Sequence, residues 1–421
     1  MKIHFKFRCF VLIATALMAS GCADREALKL QSASPIPQEL TNEKELSDTY
    51  EAKGNNEASD LYTPLNYENQ ISAWISYIEL ADMLSDDEEE FRQNVLNMFE
   101  QLSETGCNTV YVHVRAFSDS LFESEYYALS KYLPTKNGEP CYDPLEIMTD
   151  CAHELSLSFH AWINPLRCES EEYIEASSDT LIYKWYKNSD SYDEYISLID
   201  GHFWLNPCKS EVRELICDGV REIAQNYEID GVVIDDYFYP TTLESFDESS
   251  YAESGGNLSL EEWRLENCSL LVSEMYSALK AENESLLFGV SPSGNIDNNY
   301  SVSYADVRLW CSEDGYLDYI APQIYFGYEN QVCPFLQTLE EWRELVTNEN
   351  VKLVCALAVY KLEQENEYIE NTGIIAEQIS DAFESGCDGI SLYSVAWLIS
   401  DEQRLAQERE AVKLELSERI Y

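Results

Sequence analysis

The sequence is poor in positive charge. Its 421 residues include 27 Lys and Arg against 78 Asp and Glu, which gives a formal net charge of −51 at pH 7. Nucleic acid and anionic lipid surfaces repel such a chain. We therefore expect no nucleic-acid partner, and we expect the acidic surface to keep a monomeric protein in solution.

Long hydrophobic runs are also scarce. The one marked run, residues 10–18, is shorter than the roughly 20 apolar residues that span a bilayer. Basic residues precede it and Ala-Ser-Gly-Cys22 follows it, which is typical of a secretory signal. Because the signal ends in Cys, it resembles a bacterial lipobox. We predict a signal peptide over 1–21 and a lipidated Cys22 that anchors the protein to a membrane outside the cytoplasm. An ordinary signal peptide with a chance cysteine is the alternative.

Sequence patterns for metals and nucleotide cofactors are missing. No C-x-x-C pair occurs among the 13 cysteines, and no G-x-G-x-x-G follows the first predicted strand. Zinc sites and dinucleotide sites depend on such spacings, so we expect no metal and no cofactor. The cysteines after Cys22 are odd in number, and we interpret most as small buried apolar residues. One or two disulfides remain open.

Two kinds of segment follow the predicted signal. Residues 22–65 are rich in Ser, Glu, Asn and Asp without an apolar period, which predicts a flexible tether. In residues 66–405, short apolar runs alternate with helical apolar periods, and we assign a charged closing helix to 406–421. Strands are predicted over 71–77, 109–115, 158–164, 232–234, 286–290, 319–325, 351–360 and 389–393. Helices are predicted over 86–104, 144–157, 210–227, 259–281, 304–310, 335–347, 373–384 and 401–419.

Eight strands alternating with eight helices is the pattern of a (β/α)8 TIM barrel, an α/β fold. The fourth strand is the most informative. The β-branched run Val232, Val233 and Ile234 suits a parallel strand buried on both faces, and it runs directly into Asp235 and Asp236. Aspartates disfavour strands, so the pair serves either a turn or chemistry. Barrel enzymes carry their active sites at the C-terminal strand ends, which favours chemistry.

The other strand ends carry amides, aromatic rings and charged groups. Amides and carboxylates hydrogen-bond hydroxyl groups, and aromatic faces stack on sugar rings, so the set is typical of a carbohydrate pocket. Our candidate substrate-binding residues are Arg115, Trp162, Asn164, Tyr237, Gln323, Tyr325 and Trp397. Asp119 is an alternative acid, and we interpret His113 and His160 as structural. Arg115 could instead pair with a buried acid, and Trp162 and Trp397 could belong to the core. The same strand ends also carry Arg167, Trp204, Tyr360 and Tyr393, which we do not select.

Six segments together resemble the glycosyl-hydrolase-like family 10 lipoproteins. In chain order they are 71–77 (ISAWISY), 112–115 (VHVR), 159–165 (FHAWINP), 230–240 (DGVVIDDYFYP), 289–292 (GVSP) and 321–325 (APQIY). The resemblance implies a TIM barrel in the cell envelope that hydrolyses glycan strands, with denuded peptidoglycan as the favoured substrate class. It implies the class of reaction better than the role of each residue.

The segment from Asp230 to Tyr237 is also similar to the chitinase pattern D-G-x-D-x-D-x-E. Asp235 matches its last aspartate, but Val233 and Tyr237 each replace a carboxylate. A phenol is too weak an acid for the usual role at neutral pH, so the chitinase mechanism does not transfer intact.

Glycoside cleavage commonly uses two carboxyl groups. We expect Asp235 to stabilise the charged sugar and Asp236 to act as general acid, with its pKa raised by the charge and the aromatic residues beside it. The alternative is a carbohydrate-binding lipoprotein without catalysis. A deacetylase is disfavoured because no metal triad is apparent.

Overall fold

A computed structural model of the chain describes residues 62–188 and 192–419. The predicted signal, Cys22 and the predicted tether as far as residue 61 lie outside the described residues. Tyr62 and Leu65, at the end of that predicted tether, are hydrogen-bonded to the barrel.

Eight parallel strands close into a barrel in which each strand pairs with its neighbours in the sequence and the first pairs with the last. The (β/α)8 fold predicted from the alternation of strands and helices is confirmed. The strands are β1 Gln70–Ile75, β2 Thr109–Arg115, β3 Ser158–Ile163, β4 Gly231–Ile234, β5 Leu287–Val290, β6 Tyr319–Ile320, β7 Lys352–Ala358 and β8 Gly389–Tyr393.

Helices surround this barrel and cover the outer face of its strands. They are α1 Tyr77–Met83, α2 Glu88–Thr105, α3 Pro144–Glu154, α4 Glu171–Ala176, α5 Leu181–Lys187, α6 Ser210–Asn226, α7 Glu248–Glu253, α8 Leu260–Glu282, α9 Ile296–Ser301, α10 Val307–Trp310, α11 Phe335–Leu345, α12 Asn366–Glu370, α13 Ile374–Glu384, α14 Val395–Leu398 and α15 Gln403–Arg419. The last of them, α15, begins at Gln403 and buries Leu405, Val412 and Leu416.

The largest departure from the predicted strands is β6. It ends at Ile320, whereas the apolar pattern predicts a strand to residue 325. Pro322 has no N–H to donate to a neighbouring strand, which interrupts the pairing. Beyond it, Gln323 makes only single bridges, to Ser293 and Ala356.

The insertion between β3 and α6 has a fold of its own. It contains α4, α5 and an antiparallel hairpin of Ile196–Ile199 with His202–Leu205. The backbone after β3 pairs with this hairpin, because Leu205 N donates to Leu166 O at 2.9 Å and Cys168 N donates to Phe203 O at 2.9 Å. The hairpin therefore lies along the chain segment that leaves the barrel mouth.

Large aromatic side chains fill the barrel interior. The interior cluster consists of Trp74, Tyr111, Trp162, Val233, Tyr319, Ala321 and Val354. Gly289 makes room for one of these rings, since a Cβ at that position would lie 1.9 Å from the Tyr319 ring. His160 Nδ1 lies 2.8 Å from the Tyr319 hydroxyl. Burial lowers the pKa of His160 to about 4, so this imidazole is a neutral core group.

A repeated polar latch joins the strands at the bottom of the barrel. Four residues that immediately precede a strand each accept an N–H from the start of a neighbouring strand. The pairs are Asn108 with Ile71 N (2.9 Å), Asp230 with Phe159 N (2.6 Å), Asp318 with Phe288 N (2.7 Å) and Asp388 with Leu353 N (2.9 Å). These side chains satisfy N–H groups that would otherwise be orphaned where the ladder ends.

Asp230 is the most connected of the four latch residues. It also accepts from Leu65 N (2.6 Å), the Tyr62 hydroxyl (2.7 Å) and His153 Nε2 (2.9 Å). Burial alone would raise the pKa of Asp230, but these hydrogen bonds together hold it below its ordinary value. Asp230 thus ties residues 62–65 and α3 to the base of β4.

The part of the chain that the structure describes contains eleven cysteines, all unpaired and eight of them buried. This agrees with the interpretation of most of them as small apolar residues. Within the same part, no helix is long and apolar enough to cross a membrane.

The latch predicts a large effect for Asp230→Asn. The amide NH2 group cannot accept a hydrogen bond, so one of the groups that now donate to Asp230 would lose its acceptor. We expect a loss of about 3 kcal/mol in unfolding free energy at pH 7. Chemical denaturation measures this loss. The difference from wild type should shrink as pH falls below about 4, because the stability that the lowered pKa provides is lost as Asp230 protonates.

The control for this measurement is Asp218→Asn. Asp218 pairs with Arg221 within α6 and is partly exposed, so we expect a change below about 1 kcal/mol. Equal losses in both variants would contradict the role of the latch.

Candidate functional site

The alternation of β4 brings Asp235 into the barrel mouth. Val233 belongs to the interior cluster, and side chains two residues apart on a strand share a face. Asp235 therefore lies one layer above Val233, and only 5% of its surface is exposed. Asp236, beyond the end of the strand, is exposed at the rim. The two carboxylates thus occupy the floor and the rim of one recess.

Asn164 holds Asp235 from the end of the neighbouring strand β3, and His113 of β2 holds Asn164 in turn. Asn164 follows β3, and its Nδ2 donates to Asp235 Oδ1. The other end of the same amide, Asn164 Oδ1, lies 2.7 Å from His113 Nε2. Burial lowers the pKa of His113 to about 3, so the ring is neutral. Because an amide oxygen can only accept, we assign its one N–H to Nε2. This proton fixes the orientation of the Asn164 amide.

Trp162 supports this chain of hydrogen bonds from below. Its ring stacks on His113 with centroids 3.5 Å apart and an angle of 10° between the planes. It also packs edge-on against Trp74 at 4.7 Å. Trp162 is buried in the barrel interior, one layer beneath Asn164, so it is placed to support the site rather than to touch a substrate.

The electrostatics of the pair favour a shared proton. Burial and the negative charge of Asp236 raise the pKa of Asp235 well above its usual range, and the nearby Arg167 guanidinium opposes that increase. The surrounding protein also raises the pKa of Asp236, although solvent reaches its side chain, and a hydrogen bond from Gln323 opposes the increase. Ionising both carboxylates side by side is unfavourable, so one of them retains a proton more readily than an isolated aspartate does.

An aromatic wall lines the recess next to the acid pair. Tyr325 stacks on Tyr393 at 6.0 Å and meets Tyr360 edge-on at 5.9 Å. Trp397 extends the wall from Tyr360 at 6.1 Å, and its Nε1 donates to Glu363 Oε2 at 2.8 Å. Burial raises the pKa of Tyr325, and the charges of Asp235 and Asp236 add to that increase, which places Tyr325 beside the acid pair.

A second aromatic group lies where the insertion meets the mouth. The Arg167 guanidinium sits between two rings, 4.3 Å from the centroid of Phe117 and 4.7 Å from that of Tyr237. Trp204 stacks on Tyr237 at 6.1 Å. Burial raises the pKa of Tyr237 to about 12, and Arg167 opposes the shift. Tyr237 is therefore a neutral phenol that completes a row of stacked planar groups.

The structure does not bring Arg115 to this recess. Arg115 is 1% exposed, and its guanidinium lies 4.3 Å from the Tyr127 ring centroid, against Gly219 of α6 in the outer layer. The pairing of β2 with β3 shifts register between His113 and Arg115. A bulge of this kind reverses the side-chain alternation, so Arg115 points outward although it lies two residues after the inward-facing His113.

Asp119, the alternative acid, has a structural position. It is buried, and its Oδ1 accepts from Phe117 N at 2.9 Å and from Ala116 N at 3.2 Å. Burial raises its pKa, and a hydrogen bond from Ser130 opposes that increase. These contacts hold the turn after β2. The residues that the structure does assemble at the mouth are Asn164, Asp235, Asp236, Tyr237, Gln323, Tyr325 and Trp397.

Sequence reasoning passed over Arg167, Trp204, Tyr360 and Tyr393. Each follows or ends a barrel strand or the insertion hairpin. Its place along the chain can therefore be read from the sequence, but the residues that it contacts cannot. Gln323 Nε2 donates to Ser291 O at 3.1 Å, which links the ends of β5 and β6 under the pair. Within residues 62–188 and 192–419, no three His, Cys, Asp or Glu side chains come together as a metal site.

The comparisons of this chain with known proteins agree on one family. The model of the family Glycosyl hydrolase-like 10 matches residues 71–371. Glycosyl hydrolase YngK of Bacillus subtilis is 30% identical over 296 residues, which are 65% of this chain and 56% of YngK. Glycosyl hydrolase DigH of Escherichia coli is 30% identical over 308 residues, which are 67% of this chain and 70% of DigH. The match to YngK therefore spans little more than half of that relative.

Solved structures share the fold at low identity. The glycoside hydrolase domain of PgaB (BpsB) from Bordetella bronchiseptica aligns with a TM-score of 0.55 and 10% identity, over 82% of this chain and 99% of that domain. The catalytic domain of a β-amylase from Paenibacillus polymyxa aligns with a TM-score of 0.56 and 11% identity, over 83% and 99%. With its closed barrel, its acidic mouth and the family match over most of its length, the chain belongs to the Glycosyl hydrolase-like 10 family.

Proposed function

We propose that this protein hydrolyses glycosidic bonds of N-acetylated, peptidoglycan-type glycan strands at the barrel mouth. The observation that carries the proposal is the pair Asp235 and Asp236, placed at floor and rim of one recess and enclosed by aromatic rings and amides. Membership of a glycosyl hydrolase-like family supports the reaction class. The walls suit a sugar, because tyrosine and tryptophan faces stack on rings while Asn164 and Gln323 are amides.

The geometry favours an exchange of the two roles expected from the sequence. Asp235 is the more deeply buried acid, and the charge of Asp236 disfavours its ionisation, so Asp235 is the better holder of the shared proton. It donates that proton to the glycosidic oxygen as the bond from the anomeric carbon breaks. Asp236, at the rim, remains ionised and stabilises the positive charge on the sugar. Water then adds to the anomeric carbon, and its proton returns to the pair.

A carbohydrate-binding protein without turnover is the competing proposal. A binder gains nothing from two adjacent carboxylates, because an unfavourable buried charge reduces stability. Detection of new reducing ends after incubation with denuded glycan strands separates the two. Binding without product would identify a lectin-like protein.

Asp235→Asn and Asp236→Asn should each lower hydrolysis of denuded strands at least about 100-fold, the low end for general acid–base catalysis. Asp235→Asn should also raise the melting temperature at pH 7 by about 2 °C or more, because it removes a buried acid beside a like charge. The gain should be smaller at pH 4. Below its raised pKa the native state binds the proton that the unfolded chain releases, so wild-type stability declines as pH rises through that window.

Asp314→Asn is the matched control, since Asp314 is exposed and bonded to Asn348 and Asn350 away from the mouth. It should leave both rate and melting temperature unchanged. Full activity in both acid variants would refute the assignment.

The residual activity of Asp236→Asn should have a shifted pH profile. The pKa of a general acid appears in the alkaline limb of kcat/KM. Without the negative charge of Asp236, Asp235 ionises more easily, so this limb should move to lower pH than in wild type. A limb that stays in place would show that Asp235 is not the proton donor.

We also propose a cell-envelope location through lipidation of Cys22, based on the leader sequence. In bacteria that process lipoproteins, the wild-type chain should enter the detergent phase of a Triton X-114 partition, and Cys22→Ser should leave it. Cys9→Ser, within the leader, is the control and should behave as wild type. Continued detergent partition of Cys22→Ser would reject the proposal.

A further inference from the structure

Arg167 is a half-buried cation at the mouth, and it has no ion-paired carboxylate in the part of the chain that the structure describes. It lies between Phe117 and Tyr237, and among the described residues no carboxylate lies within ion-pair distance of its guanidinium. Five of the other ten described arginines are paired. Arg92, Arg213, Arg221, Arg264 and Arg419 each contact a carboxylate. What sets Arg167 apart from the other unpaired arginines is its place beside the acid pair and its contact with two aromatic rings there.

The surroundings of Arg167 hold it in place without neutralising it. Two aromatic faces, at 4.3 and 4.7 Å, restrict the guanidinium plane, and cation–π attraction compensates for part of its lost hydration. The backbone of Arg167 pairs with Trp204 of the insertion hairpin, and Ser118 Oγ donates to Arg167 O at 3.0 Å. No hydrogen bond to a described residue uses the guanidinium N–H groups of Arg167, so they remain available to a ligand.

We propose that Arg167 binds a carboxylate carried by the sugar at the mouth, and that the substrate is therefore an acidic glycan rather than a neutral one. This inference rests on the proposed glycosidase function and deepens it. A planar guanidinium donates two parallel hydrogen bonds to a carboxylate, and a side chain already immobilised loses little entropy on binding. Trp204, stacked on Tyr237, offers the adjoining surface for the sugar ring. In peptidoglycan-type strands, the lactyl ether of alternate sugars supplies the carboxylate.

A local cation is important because the protein as a whole is strongly acidic. At −51, most of its surface repels an anionic glycan, and screening at physiological ionic strength leaves the charges within about 8 Å of a bound carboxylate to set its local attraction. Arg167 also acts on the acid pair, because its charge opposes protonation of Asp235. A carboxylate bound to Arg167 would offset that charge and help Asp235 keep its proton while an acidic sugar is in place.

The test compares two forms of one glycan. Denuded strands with intact carboxylates are set against the same strands after carbodiimide activation and borohydride reduction, which convert each carboxylate to an alcohol. Affinity is measured by calorimetry on full-length Asp236→Asn protein, and turnover on wild type. We expect the intact strands to bind at least about tenfold more tightly, and added salt to weaken this preference.

Variants at Arg167 test whether this residue causes the preference for intact strands. Arg167→Gln should lower the affinity for intact strands about tenfold or more, and the affinity for reduced strands less than about threefold. Arg167→Lys keeps the charge but loses the planar fork, so it should be intermediate. Arg308→Gln is the matched control, since Arg308 stacks on Tyr300 at 4.5 Å outside the mouth. It should leave both affinities unchanged.

The outcomes separate this inference from the proposed function. Equal binding of intact and reduced strands by the Arg167-containing protein, or equal losses on both glycans in Arg167→Gln, would overturn the carboxylate site even if hydrolysis occurs. A clear preference for intact strands without any new reducing ends would leave the carboxylate site standing and reject the glycosidase. A preference that Arg167→Gln abolishes, together with turnover, supports both.

Discussion

The alternation of side chains in a closed barrel is the constraint on which the site depends. Every strand has a neighbour on both sides, so no strand can slip by one residue without reversing all of its side chains. In β4, Val233 must face the interior, and Asp235 must follow it. A carboxylate is thereby placed where water is scarce. The same geometry leaves Asp236 free to reach the rim.

The rest of the barrel interior can be understood as support for that carboxylate. Trp162 holds the His113 ring, His113 orients the Asn164 amide, and Asn164 donates to Asp235. None of these three supporting side chains carries a full charge, because burial keeps His113 neutral. The support therefore orients Asp235 without providing a counter-ion that would strongly stabilise its ionised form. A strong counter-ion in this position would instead lower the pKa of Asp235.

The two ends of the barrel use aspartate in opposite ways. At the bottom, Asp230 receives hydrogen bonds from several donors, and its lowered pKa contributes to stability. At the mouth, Asp235 and Asp236 stand side by side with few donors, and their raised pKa values reduce stability. The same residue type thus has a lowered or a raised pKa according to the number of N–H groups that face it. The fold can bear the unfavourable pair because its base is well connected.

The sequence by itself determined the barrel, the strand that ends in the acid pair, and the aromatic and amide character of the mouth. It could do so because strand and helix periods are local, and because parallel strands bring their C-terminal ends to one face. Only the tertiary structure decided which polar residues meet there. Arg115 and Arg167 each lie at or just past the end of a strand, yet a register shift in β2 points the first outward, while an insertion hairpin and two rings hold the second at the mouth. Bulges and insertion contacts are made between segments distant in the sequence, so no local pattern reports them.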